Sequence, residues 1–252
     1  MELNLTDRVF VVTGGSKGLG RATADALVAD GARVVVSARG QEAVEAAVAG
    51  LGADRAAGLT ADLAEPEAAA RLVALARERF GRFDGALVSV GGPPSSTAAG
   101  ATDEQWRAAF ETVFLGAVRA ARTFAADLAA AGGGAIGLVL SSSARSPITG
   151  LGISNGLRPG LAMVAKDLAD EFGPRGVRVL GLMPGRIATD RLRQLDAASD
   201  AAARQRTLDG IPLGRYGEPA EFGGVAAFLL SPAAAYVTGT TIPVDGGALR
   251  MP

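Results

Sequence analysis

The chain has 252 residues, a formal net charge of −1 and 48% apolar residues. The apolar fraction argues against intrinsic disorder, and the small net charge argues against a protein held to nucleic acid or anionic lipid by bulk electrostatics. The chain contains neither Cys nor His, which excludes disulfides, thiolate nucleophiles, Cys-ligated metals and histidine acid–base chemistry, and no metal site is expected.

Short runs rich in β-branched residues alternate along the chain with longer, Ala-rich helical patterns. Most of the short runs are continuously apolar, which is typical of parallel strands buried on both faces. The alternation predicts βαβ units with right-handed crossovers, in a single doubly wound α/β domain over residues 1–252. The predicted strands are residues 8–12, 33–37, 56–60, 85–90, 135–141, 177–182 and 241–244.

Helix starts are predicted at two places, near Pro66 and after Thr102, where Thr102 and Gln105 form a capping-box pattern. Residues 186–215 are the longest stretch without strand character, and their centre, residues 191–208, is predicted to be helical. An insertion after the carboxyl end of a strand borders the ligand crevice of such folds, so this stretch is predicted to be a substrate-side lid. No apolar stretch reaches the ~20 residues that span a bilayer, and no signal pattern is visible, so a cytoplasmic protein is expected.

A glycine-rich turn follows the first predicted strand and opens a helix, reading Thr13-Gly14-Gly15-Ser16-Lys17-Gly18-Leu19-Gly20. Glycines let phosphate oxygens approach the backbone, and the helix N-terminus presents N–H groups to them. The spacing is neither G-x-G-x-x-G nor that of a P-loop, and a plain tight turn is the alternative. Its position after the first parallel strand, where dinucleotides bind, favours a cofactor site.

Arg39 follows the second predicted strand, where a cofactor with a free ribose 2′-hydroxyl usually meets an acidic residue. Together with Lys17, Arg39 offers two cations to a ribose 2′-phosphate. The alternative is that Arg39 is only a solvated surface residue. The sequence therefore predicts NADP, with NAD as the runner-up.

With these motifs the chain resembles the short-chain dehydrogenase/reductase family, from about Leu5 to Gly247. The resemblance implies a Rossmann-type domain with seven parallel strands in the order 3-2-1-4-5-6-7, an NAD(P) cofactor and a homotetramer or homodimer. The matching motifs are Thr13-Gly14-x-x-x-Gly18-x-Gly20, Asp62-Leu63, Pro184-Gly185-x-Ile187-x-Thr189, Thr238-Gly239 and Asp245-Gly246-Gly247. The expected cofactor contacts are Gly14, Ser16, Lys17, Gly18, Leu19, Gly20, Arg39, Asp62, Leu63, Gly91, Ile187 and Thr189.

The catalytic set departs from the family, which uses a Ser, a Tyr thirteen residues later and a Lys four residues further on. Counting back from Pro184-Gly185 places Ser154 at the Tyr position and Arg158 at the Lys position, and the polarising Ser is then Ser141. The supporting Asn of the family falls on Phe114. After the fourth strand the family's Asn-Asn-Ala-Gly is replaced by Ser89-Val90-Gly91-Gly92, followed by Pro93-Pro94, which are expected to stiffen the loop.

These replacements leave two interpretations open. A serine hydroxyl is a much weaker general acid than a Tyr, and an Arg cannot relay a proton, although it can hold a negatively charged oxygen. In the first interpretation, Ser141, Ser154 and Arg158 form an altered oxyanion site for hydride transfer between the cofactor and a small-molecule carbonyl or alcohol, and Asn155 is a further hydrogen-bonding group. In the second, the protein is a non-catalytic NADP(H)-binding sensor or subunit.

Overall fold

The computed structural model describes residues 2–196 and 200–250, without the side chains of residues 195 and 196. Seven strands form one sheet in the order β3-β2-β1-β4-β5-β6-β7, and every neighbouring pair is parallel. The predicted fold class and strand order are therefore confirmed. The strands are β1 Val9–Thr13, β2 Arg33–Ala38, β3 Ala56–Thr60, β4 Gly85–Val88, β5 Gly134–Val139, β6 Val177–Pro184 and β7 Thr241–Val244.

Helices cover both faces of this sheet. The helices are α1 Gly18–Ala29, α2 Gln41–Leu51, α3 Ala68–Phe80, α4 Asp103–Ala109, α5 Gly116–Ala130, α6 Gly152–Phe172, α7 Asp190–Asp196, α8 Ala201–Asp209 and α9 Pro219–Leu230. A π-helical turn, Phe110–Leu115, joins α4 to α5, and short 3₁₀ turns lie at Ser142–Ala144, Gly173–Arg175 and Pro232–Ala234. Because the strands are parallel, their carboxyl ends share one edge of the sheet, where ligands of this fold class bind.

Each strand sends alternate side chains into two separate apolar cores, because successive residues of a strand point to opposite faces. In β1, Val9 and Val11 pack with α3, α5 and α6, whereas Phe10 and Val12 pack with α1, α2 and α9. These four side chains are at most 1% exposed. The continuous apolar runs of the sequence therefore reflect burial on both faces.

Several predicted boundaries need correction. Strands β4 and β5 end two residues earlier than predicted, at Val88 and Val139, because the chain leaves the sheet there to form ligand-side loops. The helix predicted at Pro66 begins at Ala68. The capping box at Thr102 is confirmed, since its hydroxyl accepts from Gln105 N while the Gln105 side chain accepts from Thr102 N.

One helix continues through a proline, and one predicted helix is divided in two. Pro159 lies inside α6, yet α6 continues unbroken for 21 residues, because its buried face is held against the core on both sides of the proline. The helix predicted over residues 191–208 is instead the pair α7 and α8, and residues 197–199 lie outside the described part. Within the described residues, no helix combines the length and apolar character needed to cross a membrane.

Candidate active site

The glycine turn after β1 brings the backbone of three loops close together. Gly14 and Gly18 have φ values of 59° and 58°, which side chains rarely tolerate. A Cβ at Gly20 would lie 2.3 Å from the carbonyl oxygen of Gly14, and one at Gly14 would lie 2.7 Å from that of Ser89. Only glycine therefore fits at Gly14 and Gly20 without a backbone shift. Both glycines lie in the turn that the sequence pattern predicts to be a phosphate site.

The start of α1 has neither a side-chain cap nor an acidic residue in its first turn. Its N-cap residue, Lys17, makes no side-chain capping bond, and the first turn of α1 contains no acidic residue. The first backbone N–H groups of a helix otherwise need an acceptor, and a diphosphate meets that need. The turn is anchored beneath by Thr13, whose hydroxyl donates to Ser89 O and accepts from Ser89 N, both at 2.9 Å.

The predicted adenosine end of the crevice carries two exposed cations. Lys17 and Arg39 are both exposed, and within the described part of the chain neither has a carboxylate at ion-pair distance. Asp62 lies just beyond β3 and accepts a hydrogen bond from Ala64 N at 3.0 Å, while Leu63 is buried. These four residues follow β1, β2 and β3, which are neighbours in the sheet. The fold therefore brings the predicted adenosine contacts together at the carboxyl ends of β1, β2 and β3, on one side of the sheet.

The predicted nicotinamide end lies beyond β4 and β6. A Cβ at Gly91 would find no atom within 4 Å, so the loop after β4 leaves open space there. Ile187 is buried and forms a bridge with Gly217, and Thr189 accepts a hydrogen bond from Leu192 N at 3.4 Å. The Thr189 methyl group lies 3.7 Å from the position of a Cβ at Gly18. The segment after β6 therefore lies next to the glycine turn.

Ser154 contacts Ser143 rather than Ser141. The two hydroxyl oxygens of Ser143 and Ser154 are 3.0 Å apart, and these residues are 2% and 6% exposed. Ser141 instead caps the 3₁₀ turn, because its hydroxyl accepts a hydrogen bond from Ser143 N at 3.1 Å. The turn makes Ser143 the hydroxyl that faces α6. Sequence counting missed Ser143, although the run of three serines was the available signal.

Arg158 is a buried cation with little hydrogen bonding. It is 4% exposed, and Nη1 donates to Val139 O, at the carboxyl end of β5, over 2.6 Å. Its Nε is buried without a hydrogen-bond partner, and no carboxylate of the described residues pairs with it. Burial lowers the pKa of Arg158 to about 10, so the group is still a cation at neutral pH. Ser154 and Arg158 lie one turn apart on α6.

The other replaced positions contact the protein itself. Both groups of the Asn155 side-chain amide bind the Ile148 backbone, accepting from its N–H at 3.0 Å and donating to its carbonyl at 2.9 Å. Phe114 stacks on Phe110 with ring centroids 5.3 Å apart and lies 3.1 Å from a Cβ position at Gly160 of α6. Asn155 thus holds the β5–α6 loop through its side-chain amide. Phe114, which the family resemblance assigns to the position of a polar Asn, packs against its own neighbours.

Comparison with known proteins identifies the family of the chain. A family model described as enoyl-(acyl carrier protein) reductase matches residues 14–248. Levodione reductase of Leifsonia aquatica is 34% identical over 258 residues, covering 96% of this chain and 94% of that protein. Dehydrogenase/reductase SDR family member 4 of Oryctolagus cuniculus is 33% identical over 248 residues, covering 97% and 94%. The chain belongs to the short-chain dehydrogenase/reductase family.

Solved structures of this family share the whole fold. The structure of L-sorbose reductase from Gluconobacter frateurii, complexed with NADPH and L-sorbose, matches with a TM-score of 0.91 and 30% identity over 100% of both chains. The predicted enzyme class, an NAD(P)-dependent dehydrogenase/reductase, is confirmed by these relatives. NADPH is the form bound in that structure, in agreement with the predicted NADP. The predicted cytoplasmic location and oligomeric state stay predictions, as do the individual site residues.

Proposed function

We propose that the protein is an NADP(H)-dependent oxidoreductase that interconverts a carbonyl and an alcohol at an altered active site. The buried hydroxyl pair of Ser143 and Ser154, one helical turn from the Arg158 cation, is the observation that supports this proposal. Ser154 and Arg158 are the residues that the family resemblance predicts at the catalytic Tyr and Lys positions, and Arg158 reaches the carboxyl end of β5. Bound NADPH would supply the hydride from its nicotinamide C4 to the carbonyl carbon.

The residues of this chain would act on the carbonyl oxygen. A hydroxyl of the Ser143–Ser154 pair donates a hydrogen bond to that oxygen, and the Arg158 cation stabilises the negative charge that develops on it. Neither group supplies the proton easily, because a serine hydroxyl has a high pKa and Arg158 stays charged. The proton therefore comes from water or from the substrate. Removal of one such donor typically lowers a rate ~10²–10³-fold, so this remnant of the family site can still work.

The cofactor site fits NADP(H) for two independent reasons. The glycine cradle excludes side chains where the diphosphate would approach, and the exposed Lys17 and Arg39 lack competing carboxylates in the described part of the chain. A 2′-phosphate would supply the missing negative charge. We expect Arg39→Ala to weaken NADPH binding by roughly 10- to 100-fold and to leave NADH binding unchanged, since a charge-assisted hydrogen bond contributes ~1.5–3 kcal/mol. Arg79→Ala, which removes an exposed arginine at the far end of α3, is the matched control.

Turnover is tested with substrates that the relatives suggest. These relatives are named levodione reductase, L-rhamnose 1-dehydrogenase (NAD(P)(+)) and L-sorbose reductase. NADPH oxidation or NADP⁺ reduction is followed by absorbance over a panel of cyclic diketones, ketoses, aldoses and polyols. Ser143→Ala is expected to lower kcat strongly at unchanged NADPH affinity, whereas Ser142→Ala leaves kcat unchanged. Equal activities of these two variants would contradict the assigned role of Ser143.

The second candidate function is a non-catalytic NADP(H)-binding sensor or subunit. It is favoured by the contacts of Asn155, Arg158 and Phe114, which are all made with the protein's own β5, β5–α6 loop and α6. Under this candidate no member of the panel turns over in the natural protein. The triple variant Ser154→Tyr, Arg158→Lys and Phe114→Asn would then create activity.

A further inference from the structure

Arg191 connects two loops that the sheet keeps apart. It is the second residue of α7, and its Nη2 donates a hydrogen bond to the carbonyl oxygen of Pro93 at 2.8 Å. Pro93 follows β4 and Arg191 follows β6, and the sheet order places β5 between these strands. The connection therefore crosses the carboxyl end of β5, from which the chain leads to Ser143.

The acceptor of this hydrogen bond is fixed in advance by two prolines. The ring of Pro93 fixes its own φ, and Pro94 restricts the residue before it to extended conformations. Pro93 is also buried, so its carbonyl has little freedom to turn. The guanidinium lies alongside Gly92, where a Cβ would be 3.6 Å from Nη2. The Pro93-Pro94 pair thus presents a preset acceptor to Arg191.

Arg191 has no competing partner in the described part of the chain. No carboxylate there lies within ion-pair distance of it, whereas Arg193, two residues later on α7, pairs with Asp190 at 2.6 Å. Arg191 therefore donates its hydrogen bond to the Pro93 carbonyl without competition from a carboxylate. This contrast makes Arg193 a matched control on the same helix.

The segment before α7 also lies close to the opposite wall of the crevice. The Thr189 methyl group lies 3.7 Å from the position that a Cβ would take at Gly18, at the start of α1. The Arg191–Pro93 hydrogen bond holds the beginning of α7 on one side of the path from the glycine turn to Gly91, and Thr189 lies beside the other. A dinucleotide bound along that path would lie beneath this segment.

We propose that the Arg191–Pro93 hydrogen bond is a latch that holds α7 over bound NADP(H) and sets the rate at which the cofactor leaves. The proposal rests on the cofactor site proposed above. Dissociation then requires this hydrogen bond to break, while the site for the diphosphate stays intact. Arg191 accordingly controls residence time and acts as a positioning residue, with no direct part in hydride transfer.

The test is the dissociation rate of NADPH from the full-length protein. Preformed NADPH complex is mixed with excess NADP⁺ in a stopped-flow instrument, and the loss of bound-NADPH fluorescence is followed. Arg191→Ala is expected to accelerate dissociation about three- to tenfold, since a hydrogen bond from a charged donor is lost, with a much smaller change in the association rate. Arg191→Lys keeps a charged donor and is expected to restore part of the slow dissociation. Arg193→Ala is expected to match the natural protein.

A double-mutant cycle separates a latch from a general loosening of the fold. Pro94→Ala frees the Pro93 carbonyl and is expected to accelerate dissociation, but to have no further effect in the Arg191→Ala background. Unchanged dissociation in Arg191→Ala, equal acceleration in Arg193→Ala, or additive effects of the two changes would overturn the latch. If the natural protein does not bind NADPH at all, the proposed function itself fails, and the latch with it.

Discussion

Arg158 carries a positive charge where almost no water reaches it. The residue is 4% exposed and donates to one backbone carbonyl, that of Val139, within the described part of the chain. Its pKa is lowered to about 10 by burial, so the folded state holds this proton less tightly than the unfolded chain does. The resulting loss of stability is complete below pH 10 and is relieved as the pH rises above it. Such a cost is typical of a residue kept for function.

We expect Arg158→Met to raise the free energy of unfolding of the ligand-free protein by about 1–3 kcal/mol, because a buried unpaired charge is replaced by an apolar side chain of similar length. The same change is expected to lower turnover. Urea unfolding near neutral pH measures the first effect. Arg178 is the matched control, since it is also partly desolvated but donates to the carbonyls of Leu229, Ser231 and Val237. Arg178→Met is expected to destabilise, and a destabilised Arg158→Met would contradict this account of Arg158.

Substitutions at two glycines of the crevice test folding stability and cofactor binding separately. A Cβ at Gly20 would lie 2.3 Å from Gly14 O, whereas one at Gly91 would meet no atom within 4 Å. Gly20→Ala is expected to lower the free energy of unfolding by roughly 1–3 kcal/mol, the usual cost of overpacking. Gly91→Ala is expected to leave stability unchanged and to weaken NADPH binding, if Gly91 contacts cofactor as predicted. Denaturant unfolding and NADPH titration of both variants check this, and unaltered NADPH affinity in Gly91→Ala would remove Gly91 from the site.

At the scale of elements, the start of α9 anchors the end of the substrate-side segment. Glu221 accepts from Arg215 through both carboxylate oxygens, at 2.6 and 2.8 Å, and from Glu218 N at 2.7 Å. These hydrogen bonds, the one from Arg215 first, lower the pKa of Glu221 from 4.5 to about 2. Gly217, between them, bridges to Ile187 after β6. The two ends of the segment from Ile187 to Gly217 are therefore held together by this bridge, next to the hydrogen bonds of Glu221.

The pH dependence of this anchor follows from the direction of the shift. A carboxyl with a depressed pKa contributes stability that is present above pH 4.5 and is lost as the pH falls through about 2. We expect Glu221→Gln to lower Tm slightly at neutral pH, because the site is exposed, and the difference to shrink between pH 4.5 and 2. Thermal unfolding of both proteins across this range measures it. A Tm difference that does not change with pH would show that the carboxylate charge has no part in the anchor.

At the scale of the whole molecule, large apolar side chains remain exposed on the α4–α6 side. Met163 of α6 is 68% exposed and Phe110, at the start of the π-helical turn, is 42% exposed. Phe114, which stacks on Phe110, contacts Gly160 of α6, so the two exposed residues belong to adjoining surfaces. The family resemblance predicts a homotetramer or homodimer, and buried apolar contacts between copies would explain this exposure.

We expect the natural protein to have a molar mass in solution that is a multiple of 25.3 kDa. Met163→Glu is expected to lower that mass, because a buried unpaired charge at an interface is strongly unfavourable. Light scattering after size-exclusion chromatography measures both. Lys166→Glu on the same helix, where Lys166 pairs with Asp170 at the surface, is the control for added charge. A monomeric natural protein would contradict the predicted assembly.

Much of the fold was predictable because its signals are local. Continuous apolar runs such as that of β2 mark strands that are covered on both faces. The glycines of the first turn are recognisable because a side chain at Gly14 or Gly20 would clash with the backbone. The capping box at Thr102 is equally local. Strand and helix ends were less predictable, because β4 and β5 stop where the chain turns toward the ligand crevice, and no residue pattern marks that point.

The sequence by itself determined the doubly wound α/β class through its alternating strand and helix patterns, the family resemblance gave the strand order, and both agree with the structure. The cofactor contacts and the replacement of the family's Tyr, Lys and Asn stay predictions. Only the tertiary structure decided that Ser143, rather than Ser141, meets Ser154, that Arg158 reaches Val139 O, and that Arg191 reaches Pro93 O. The physical reason is distance along the chain: these contacts join residues 11, 19 and 98 positions apart. Spacing within one segment cannot specify such partners, because they depend on how helices and loops pack against the sheet.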